Sequence, residues 1–333
     1  DATERELRRV EDLLEGRSKA GWVRRCHGDL HLRNIVMWRD VPTPFDALEF
    51  DERLGTCDVL YDLAFLLMDL WHHQLDAAAN QVLNAYLFHS ETDDHYAGLA
   101  ALPLYLAVRA GIRAMVDVQT SAVHEAPHAL IAEARVFLQQ GLCFIKPIAP
   151  LMVGIGGLSG SGKTTIATQI APLIGAFPGA VHLRSDLERK AYFKVSPFER
   201  LSAEAYQPEV SDTIYRIMRS KAKLALAAGQ AVILDAVHAT ADERRLAEEL
   251  ARDSGCPFTG IWLDADTALR VARVDDRVQD ASDADAQIAE QQDDLPIGDI
   301  GWHRLDAAQT LSDLLAQISE HLPASAYRRQ STK

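Results

Sequence analysis

The sequence has few cysteines, and none of them stand at the spacing of a metal site. Its four cysteines, Cys26, Cys57, Cys143 and Cys256, are widely scattered, which argues against a zinc site and against a disulfide framework. No apolar run approaches the roughly 20 residues that a membrane helix needs. The first residues, DATERELRRVEDLLEG, are charged and do not resemble a signal peptide. These absences predict a cytoplasmic protein with reduced thiols and no membrane partner.

Positive charge is also scarce. The chain has 34 lysines and arginines against 48 aspartates and glutamates, a formal net charge of -14. Such a chain repels phosphate backbones and anionic lipid surfaces, so a nucleic-acid partner is not expected. An anionic substrate would need local Lys, Arg or a metal ion. Hydrophobic residues at 48% and charged residues at 25% are typical of a folded globular protein.

A length of 333 residues favours two domains. Residues 58–141 are rich in Ala and Leu, with apolar positions at helical spacing. The segment CFIKPIAP follows, and its two prolines cannot lie inside a helix, so the boundary is predicted near 146–150. The predicted domains are a helical one over 1–145 and a second one over 150–325.

The second half alternates short apolar runs with amphipathic helical segments. This alternation is typical of a parallel sheet with helices on both faces, a doubly wound α/β fold. A later stretch, 275–294, is acidic and poor in large apolar residues, as in a mobile surface segment. The predicted strand runs are 151–155, 180–184, 231–235 and 258–263, with helices expected from about 163, 241 and 265.

The segment GLSGSGKTT, between a predicted strand and a predicted helix, fits the phosphate-binding pattern GxxxxGK(S/T). In this setting backbone N–H groups and the helix N-terminus converge on phosphate oxygens, and glycines permit the close approach. Lys163 is expected to reach the β and γ phosphates, and the Thr164 hydroxyl to bind Mg²⁺. The predicted ATP-binding residues are Gly157, Ser159, Gly160, Ser161, Gly162, Lys163, Thr164 and Thr165.

Candidate catalytic residues follow the next two strand runs, where ligands collect in open α/β sheets. In RSDLER, Asp186 could accept a hydroxyl proton and Arg189 could orient a substrate; the alternative for Asp186 is a helix N-cap. In AVILDAVHAT, Asp235 is expected to support Mg²⁺, with a turn or a cap as the alternative. The nearby His238 is not predicted to be catalytic.

Two arginines precede the acidic stretch. Arg273 and Arg277 are spaced i, i+4 and so lie on one helical face. Arginines on a closing lid neutralise charge on a transferring phosphoryl group. The alternative is a solvated face on which they pair with Asp275, Asp276 and Asp280.

These motifs, GLSGSGKTT, SDLER, LDA and the arginine pair, resemble those of the P-loop small-molecule kinases. That broad group includes gluconate kinase, chloramphenicol phosphotransferase, polynucleotide kinase and zeta toxin. The resemblance covers about 150–325. It implies ATP binding at the glycine-rich loop, Asp186 as the base for an acceptor hydroxyl, and Arg273 or Arg277 as lid residues. No motif marks a particular acceptor.

A second loop, HGDLHLRN, contains Asp29 and Asn34 five residues apart. Kinase-like phosphotransferases use this arrangement because the Asp takes the hydroxyl proton while the Asn reaches Mg²⁺. The loop resembles the HGDLHxxN motif of the aminoglycoside phosphotransferases. In that family a metal-binding acid follows an apolar strand, and Glu49 and Asp51 are both candidates here. Asp58 and Asp62 match family positions that brace the loop and the next helix.

Kinase-like folds clamp ATP with a β-rich lobe that precedes this loop, and only 26 residues precede His27. The loop at 157 is therefore predicted to carry a complete nucleotide site and the loop at 27 half of one. The order of the two modules is similar to a bacterial fusion of a phosphotransferase-like and an ATP-binding module. That resemblance implies that the sequence is the larger, C-terminal part of such a protein.

The predicted function is ATP- and Mg²⁺-dependent phosphoryl transfer to a hydroxyl of a small metabolite, sugar-like or amino-sugar-like. One alternative is a nucleotide-dependent switch whose helical module binds a partner. Another is aminoglycoside-type phosphotransferase activity of the front module. The acceptor and the oligomeric state stay open.

Overall fold

The computed structural model describes residues 2–49, 51–90, 92–123, 127–276 and 280–327. The chain forms two compact units, Asp1–Pro147 and Ile148–Lys333.

The first unit is mainly helical. Its strands form two small antiparallel ladders, β1 with β4 and β2 with β3. Its helices are α1 (Ala2–Lys19), α2 (Glu52–Gly55), α3 (Val59–His72), α4 (Asp76–His89), α5 (Asp94–Gly98), α6 (Leu102–Ser121) and α7 (Pro127–Phe144). Its strands are β1 (Val23–Arg25), β2 (Ile35–Trp38), β3 (Val41–Pro44) and β4 (Thr56–Asp58).

Helix α3 lies at the centre of this unit. Its leucines Leu60 and Leu67 are fully buried, and the Asp58 carboxylate caps the helix by accepting a hydrogen bond from the Leu60 N–H. The same carboxylate forms a buried ion pair with Arg17, whose Nε donates a hydrogen bond to Asp58 Oδ2 at 2.7 Å. Because Arg17 belongs to α1, this pair ties the first helix to the start of the central one.

A helical stretch from Asp94 to Ser121, which contains α5 and α6, is long and apolar enough to cross a membrane. The sequence-based prediction that no apolar stretch is long enough to cross a membrane is therefore wrong. Arg109 and Arg113 interrupt the run in the sequence, which is why it does not stand out there. Since 56% of the apolar window is buried inside the protein, and a core helix passes the same test, the stretch is weak support for a membrane span.

The second unit is built on a five-stranded parallel sheet of order β6-β7-β5-β8-β9, which confirms the α/β fold class. Its strands are β5 (Met152–Gly156), β6 (Val181–Arg184), β7 (Val232–Asp235), β8 (Phe258–Asp264) and β9 (His303–Asp306). Its helices are α8 (Lys163–Ile170), α9 (Ser185–Tyr192), α10 (Pro208–Ala227), α11 (Ala241–Asp253), α12 (Thr267–Asp275), α13 (Ala286–Gln291) and α14 (Leu311–His321).

Alternate residues of the strands face opposite sides of this sheet. On one side Val153 and Ile155 pack with Ile166 of α8 and Ile318 of α14. On the other side the glycines of β5 and β8 leave room for the indole of Trp302. The sheet is thus covered on both faces, as its apolar strand runs predict.

Strands β5, β6, β7 and β8 lie where the apolar runs predict them. The fifth, β9, was not predicted, because its residues HRLD lack an apolar run. The acidic stretch also differs from its predicted character. Its described part contains α13 and forms ion pairs with Arg184, Lys190 and Arg270.

Candidate active site

A cleft of about 390 Å³ opens at the carboxyl ends of the parallel strands. The whole run from Ser159 to Ile166 lines it, together with residues that follow β6, β7 and β9. The sheet therefore brings the predicted phosphate loop and residues from distant parts of the sequence to one place.

The phosphate loop needs its glycines for two physical reasons. Gly157 has φ +137°, and a Cβ there would lie 2.6 Å from the Leu263 carbonyl oxygen. Gly160 has φ +87°, and a Cβ there would lie 2.8 Å from Cα of Arg270. The left-handed region disfavours side chains, and both positions are also packed against backbone. The loop therefore packs directly against the end of β8 and against the backbone of α12 at Arg270.

The loop ends at the amino terminus of α8, which begins at Lys163 after the left-handed Gly162. The Lys163 ammonium donates to the Leu158 carbonyl at 3.1 Å, and so lies over the loop. The Ser161 hydroxyl is buried and has no hydrogen-bond partner within the described part of the chain. A curved loop with an unsatisfied hydroxyl at a helix N-terminus fits an anionic ligand such as phosphate.

The Thr164 hydroxyl donates to Oδ2 of Asp235 at 2.7 Å. These residues lie 71 positions apart, at the start of α8 and the end of β7. Asp235 is 4% exposed, and its Oδ2 also contacts Nε2 of His182 at 3.0 Å and Nε of Arg184 at 3.9 Å. A hydroxyl beside a carboxylate is the oxygen donor set that Mg²⁺ prefers, so these residues fit the predicted metal.

The electrostatics keep Asp235 ionised. Burial alone would raise its pKa, but the hydrogen bond from His182 and the charges of His182, Arg184 and Lys163 outweigh burial and lower the pKa to about 2. The carboxylate is consequently negative at neutral pH, as a cation ligand must be.

Asp186 lies in the first turn of α9 and lines the same cleft. It is not the helix N-cap, because that position is Arg184 and carries no side-chain cap. Burial raises the pKa of Asp186, and Asp235 and Asp280 act in the same direction, while Lys163 and Arg184 oppose them. A carboxylate whose pKa is raised is a better acceptor for a hydroxyl proton.

The predicted arginines occupy different places. Arg273 lines the cleft and donates to the Ala307 carbonyl at 2.8 Å. Arg277 lies outside the described residues. Arg189 is 5% exposed and donates to the Ala205 carbonyl at 2.5 Å and to Ser211 Oγ at 3.3 Å. These contacts make Arg189 a support for the segment before α10, and its contact with substrate stays a prediction.

Three ionisable residues in and beside the cleft were not predicted as site residues from the sequence. His182 and Arg184 lie two positions apart on β6, so their side chains lie on the same side of that strand, and both contact Asp235. Asp280 pairs with Arg184 at 2.9 Å across 96 residues. The pattern VHLRSD carried a signal, since two polar residues at period two interrupt an otherwise apolar strand.

In the first unit, Asn34 and Asp29 lie together. The Asn34 amide donates to Oδ2 of Asp29 at 3.1 Å, and His31 Nε2 contacts the same oxygen at 3.3 Å. The hydrogen bond from His31 is the largest influence on Asp29, and it lowers the pKa of that carboxyl. Asp62 accepts from the N–H groups of His27 and Gly28, which gives it a bracing role.

The two acidic metal candidates of this unit, Glu49 and Asp51, have no described hydrogen bond or ion pair to Asp29 or Asn34. Asp51 caps α2 and pairs with Arg53 at 3.2 Å. No described contact links Glu49 to Asp29 or Asn34. Within the described residues, no cluster of three or more His, Cys, Asp or Glu side chains could hold a metal ion in either unit. The metal roles of Asn34, Glu49 and Asp51 stay predictions.

Comparison with known proteins gives one family match in the second unit and relatives that match most of the chain. A family model described as "AAA domain" matches residues 152–295, within the second unit. Proteins from Mycobacterium tuberculosis strain ATCC 25618 / H37Rv and Mycobacterium bovis strain ATCC BAA-935 / AF2122/97, both termed uncharacterized, are 27% identical over 318 residues. The match takes in 90% of this chain and 59% of each relative, so the chain spans less than two thirds of their length.

Several solved structures align with about half of the chain. A gluconokinase from Sinorhizobium meliloti 1021 is 18% identical, covering 53% of this chain and 96% of its own, with a TM-score of 0.35. A sugar kinase from Janibacter sp. HTCC2649 is 20% identical, covering 54% and 99%, with a TM-score of 0.39. The Mycobacterium tuberculosis APS kinase CysC with AMPPNP and APS is 16% identical, covering 53% and 98%, with a TM-score of 0.33.

The match to the AAA domain model therefore falls on the part of the chain that carries the phosphate loop.

Proposed function

We propose that the second unit transfers the γ-phosphoryl group of ATP to a hydroxyl group of a small molecule, with Mg²⁺. The observation that carries this proposal is the 2.7 Å hydrogen bond between Thr164 and Asp235, in a cleft that Asp186 also lines. The cleft thus brings together a candidate metal-binding pair, a phosphate loop and a candidate base.

The order of the strands divides the cleft. The phosphate loop follows β5, the central strand, so the cleft has a side toward β8 and β9 and a side toward β7 and β6. Leu311 and Leu314 of α14 line the first side, and Arg273 lies beside them at Ala307. Asp235, Arg184 and Asp186 line the second side. An apolar wall suits the flat base of a nucleotide, and a polar wall suits a hydroxylated acceptor.

The reaction follows from this arrangement. The acceptor hydroxyl gives its proton to Asp186 as its oxygen attacks the γ-phosphorus, and the bond between that phosphorus and the ADP oxygen breaks. Lys163 and Arg273 lie where they neutralise negative charge on the phosphates. Thr164 and Asp235 would hold a magnesium ion, which would neutralise part of the negative charge of the phosphates.

The proposal is tested by measuring ADP release from ATP with a panel of sugars, amino sugars and nucleosides. At least one acceptor is expected to stimulate ADP release in the wild type, and Lys163→Ala is expected to abolish the stimulation. Lys223→Ala is the matched control, because Lys223 is an exposed lysine of α10 outside the cleft.

If ATP binds but no acceptor stimulates turnover, the nucleotide-dependent switch is the better description. Nucleotide binding that survives Lys163→Ala would contradict both. If a drug-like amino sugar is turned over and Asp29→Ala abolishes that turnover, the activity belongs to the first unit, which we propose to be the aminoglycoside phosphotransferase-like module. The 3.1 Å contact between Asn34 and Asp29 is what supports that assignment.

A further inference from the structure

The acceptor side of the cleft has an unusual balance of charge for a site that handles phosphate. Among the residues that the structure describes, three carboxylates, Asp186, Asp235 and Asp280, line it together with one guanidinium, that of Arg184. Asp235 belongs with Thr164 to the proposed metal pair. An acceptor molecule would therefore meet Asp186, Asp280 and Arg184, which together carry one excess negative charge when both carboxyls are ionised.

Arg184 is already paired. Its Nη2 donates to Oδ1 of Asp280 at 2.9 Å, and its Nε lies 3.9 Å from Oδ2 of Asp235. The side chain is 19% exposed, so water screens these pairs only in part. Without Asp280, the guanidinium would lose its 2.9 Å carboxylate partner, keep only the 3.9 Å contact with Asp235 among its ion pairs, and present more positive charge to the acceptor side.

The position of Asp280 is fixed by the residues that follow it. The carboxylate of Asp283, three positions on, accepts hydrogen bonds from Lys190 Nζ at 2.5 Å, the Leu201 N–H at 3.0 Å and Tyr206 Oη at 2.6 Å. Lys190 and Asp283 are both almost fully buried. The acidic segment is thus docked on α9 and the segment after it, and Asp280 is placed in the cleft by that docking.

We propose that Asp280 is a specificity-determining residue which, by neutralising Arg184, makes the cleft take hydroxyl compounds that carry no acidic group. The substrate class is a neutral or amine-bearing polyol, and compounds with a carboxylate, sulfate or phosphate group are excluded. This inference rests on the proposed phosphoryl transfer and names the acceptor class for the same site. Specificity here comes from a repulsive element as much as from an attractive one.

The first test compares acceptors that share one carbon skeleton: a neutral aldose, the corresponding amino sugar, the aldonate and the aldose phosphate. ADP release is measured for each in the wild type, in Asp280→Asn and in Asp212→Asn. Asp212 is an exposed residue of α10 outside the cleft, so it controls for the loss of one negative charge. The wild type is expected to use the neutral and amine-bearing members and to reject the acidic ones.

Asp280→Asn is expected to shift the ratio of kcat/KM for acidic over neutral acceptors upward by about tenfold, the order of effect of one charge in a partly desolvated site. The KM for ATP is expected to stay unchanged, which a general loss of structure would not allow. Preference of the wild type for an acidic member would overturn the inference while leaving phosphoryl transfer intact. Absence of turnover with every acceptor would count against the proposed function itself.

A second measurement does not depend on finding the acceptor. With Mg²⁺ and a non-hydrolysable ATP analogue filling the phosphate loop, inorganic sulfate is titrated into the wild type, Asp280→Asn, and the double variant Asp280→Asn/Arg184→Gln. Sulfate is expected to bind only to Asp280→Asn, because only there is the guanidinium exposed without its partner. Equal sulfate binding by the wild type and Asp280→Asn, or binding that survives in the double variant, would refute the role given to Asp280.

Discussion

Replacing Thr164 with valine tests the centre of the proposed site most directly. Valine keeps the shape of the side chain and removes the hydroxyl that donates to Asp235 at 2.7 Å. A hydrogen bond to a charged group is worth about 1.5–3 kcal/mol. His182 still contacts the same carboxylate oxygen at 3.0 Å, so the loss of stability should lie at the lower end, about 1.5 kcal/mol. For a unit of this size that lowers the melting temperature by about 3–6 °C.

The effect on metal-dependent chemistry should be larger than the effect on stability. Loss of the hydroxyl removes a proposed magnesium ligand, so we expect the affinity for magnesium and nucleotide together to fall by about 100-fold. The assay is thermal unfolding with and without Mg²⁺ and a non-hydrolysable ATP analogue, alongside ADP release over a magnesium titration. Thr164→Ser is the control, because it keeps the hydroxyl. If the valine variant matches the serine variant in both assays, Thr164 does not hold the metal.

Two further substitutions test the base and the sheet. Asp186→Asn is expected to remove turnover without changing ATP affinity, and the wild-type rate should rise with pH through a value above the ordinary Asp range, since the pKa of Asp186 is raised. Because the pKa of Asp186 is higher in the folded than in the unfolded state, its protonated form favours folding, and this stability is lost as pH rises through the folded-state pKa. At neutral pH the ionised carboxylate destabilises the folded unit, so Asp186→Asn should have a higher melting temperature than the wild type. Gly260→Ala should destabilise the second unit by about 1–3 kcal/mol in denaturant unfolding, because its methyl would come within 2.5 Å of the Trp302 indole. An alanine variant as stable as the wild type would show that the indole can move.

The parts of the fold that were predictable from sequence are those specified locally. Strands β5, β7 and β8 are short runs of mostly apolar residues, and β6 alternates apolar with polar residues. Each of these strands is ended by a turn or a helix start, so the local sequence locates them. The strand β9 contains one apolar residue, Leu305, between charged neighbours, and lies at the edge of the sheet. An edge strand with solvent on one side needs little apolar character, and so no run marked it.

In the candidate site, too, the residues specified by local sequence were predictable and those that depend on tertiary contacts were not. The phosphate loop was predictable because consecutive residues from Gly157 to Thr165 supply both its glycines and its side chains. Asp235 was predictable because it ends an apolar strand. His182 and Arg184 were missed because their role depends on which strand lies next to β7, and strand order is not written in either segment. The contacts of Asp280 depend on a docking that its acidic, polar neighbourhood does not suggest.

The two sides of the proposed cleft differ in how well they tolerate substitution. The nucleotide side of the cleft rests on backbone geometry, in which Gly157 and Gly160 have no room for a side chain, so most changes there should destroy binding. The proposed acceptor side contains the ion pair between Arg184 and Asp280, both partly exposed, and a change at Asp280 would alter the charge on that side without changing the phosphate loop. The proposed role of Asp280 therefore predicts that a substitution at this position changes the preferred acceptor while nucleotide binding at the glycine-rich loop is retained.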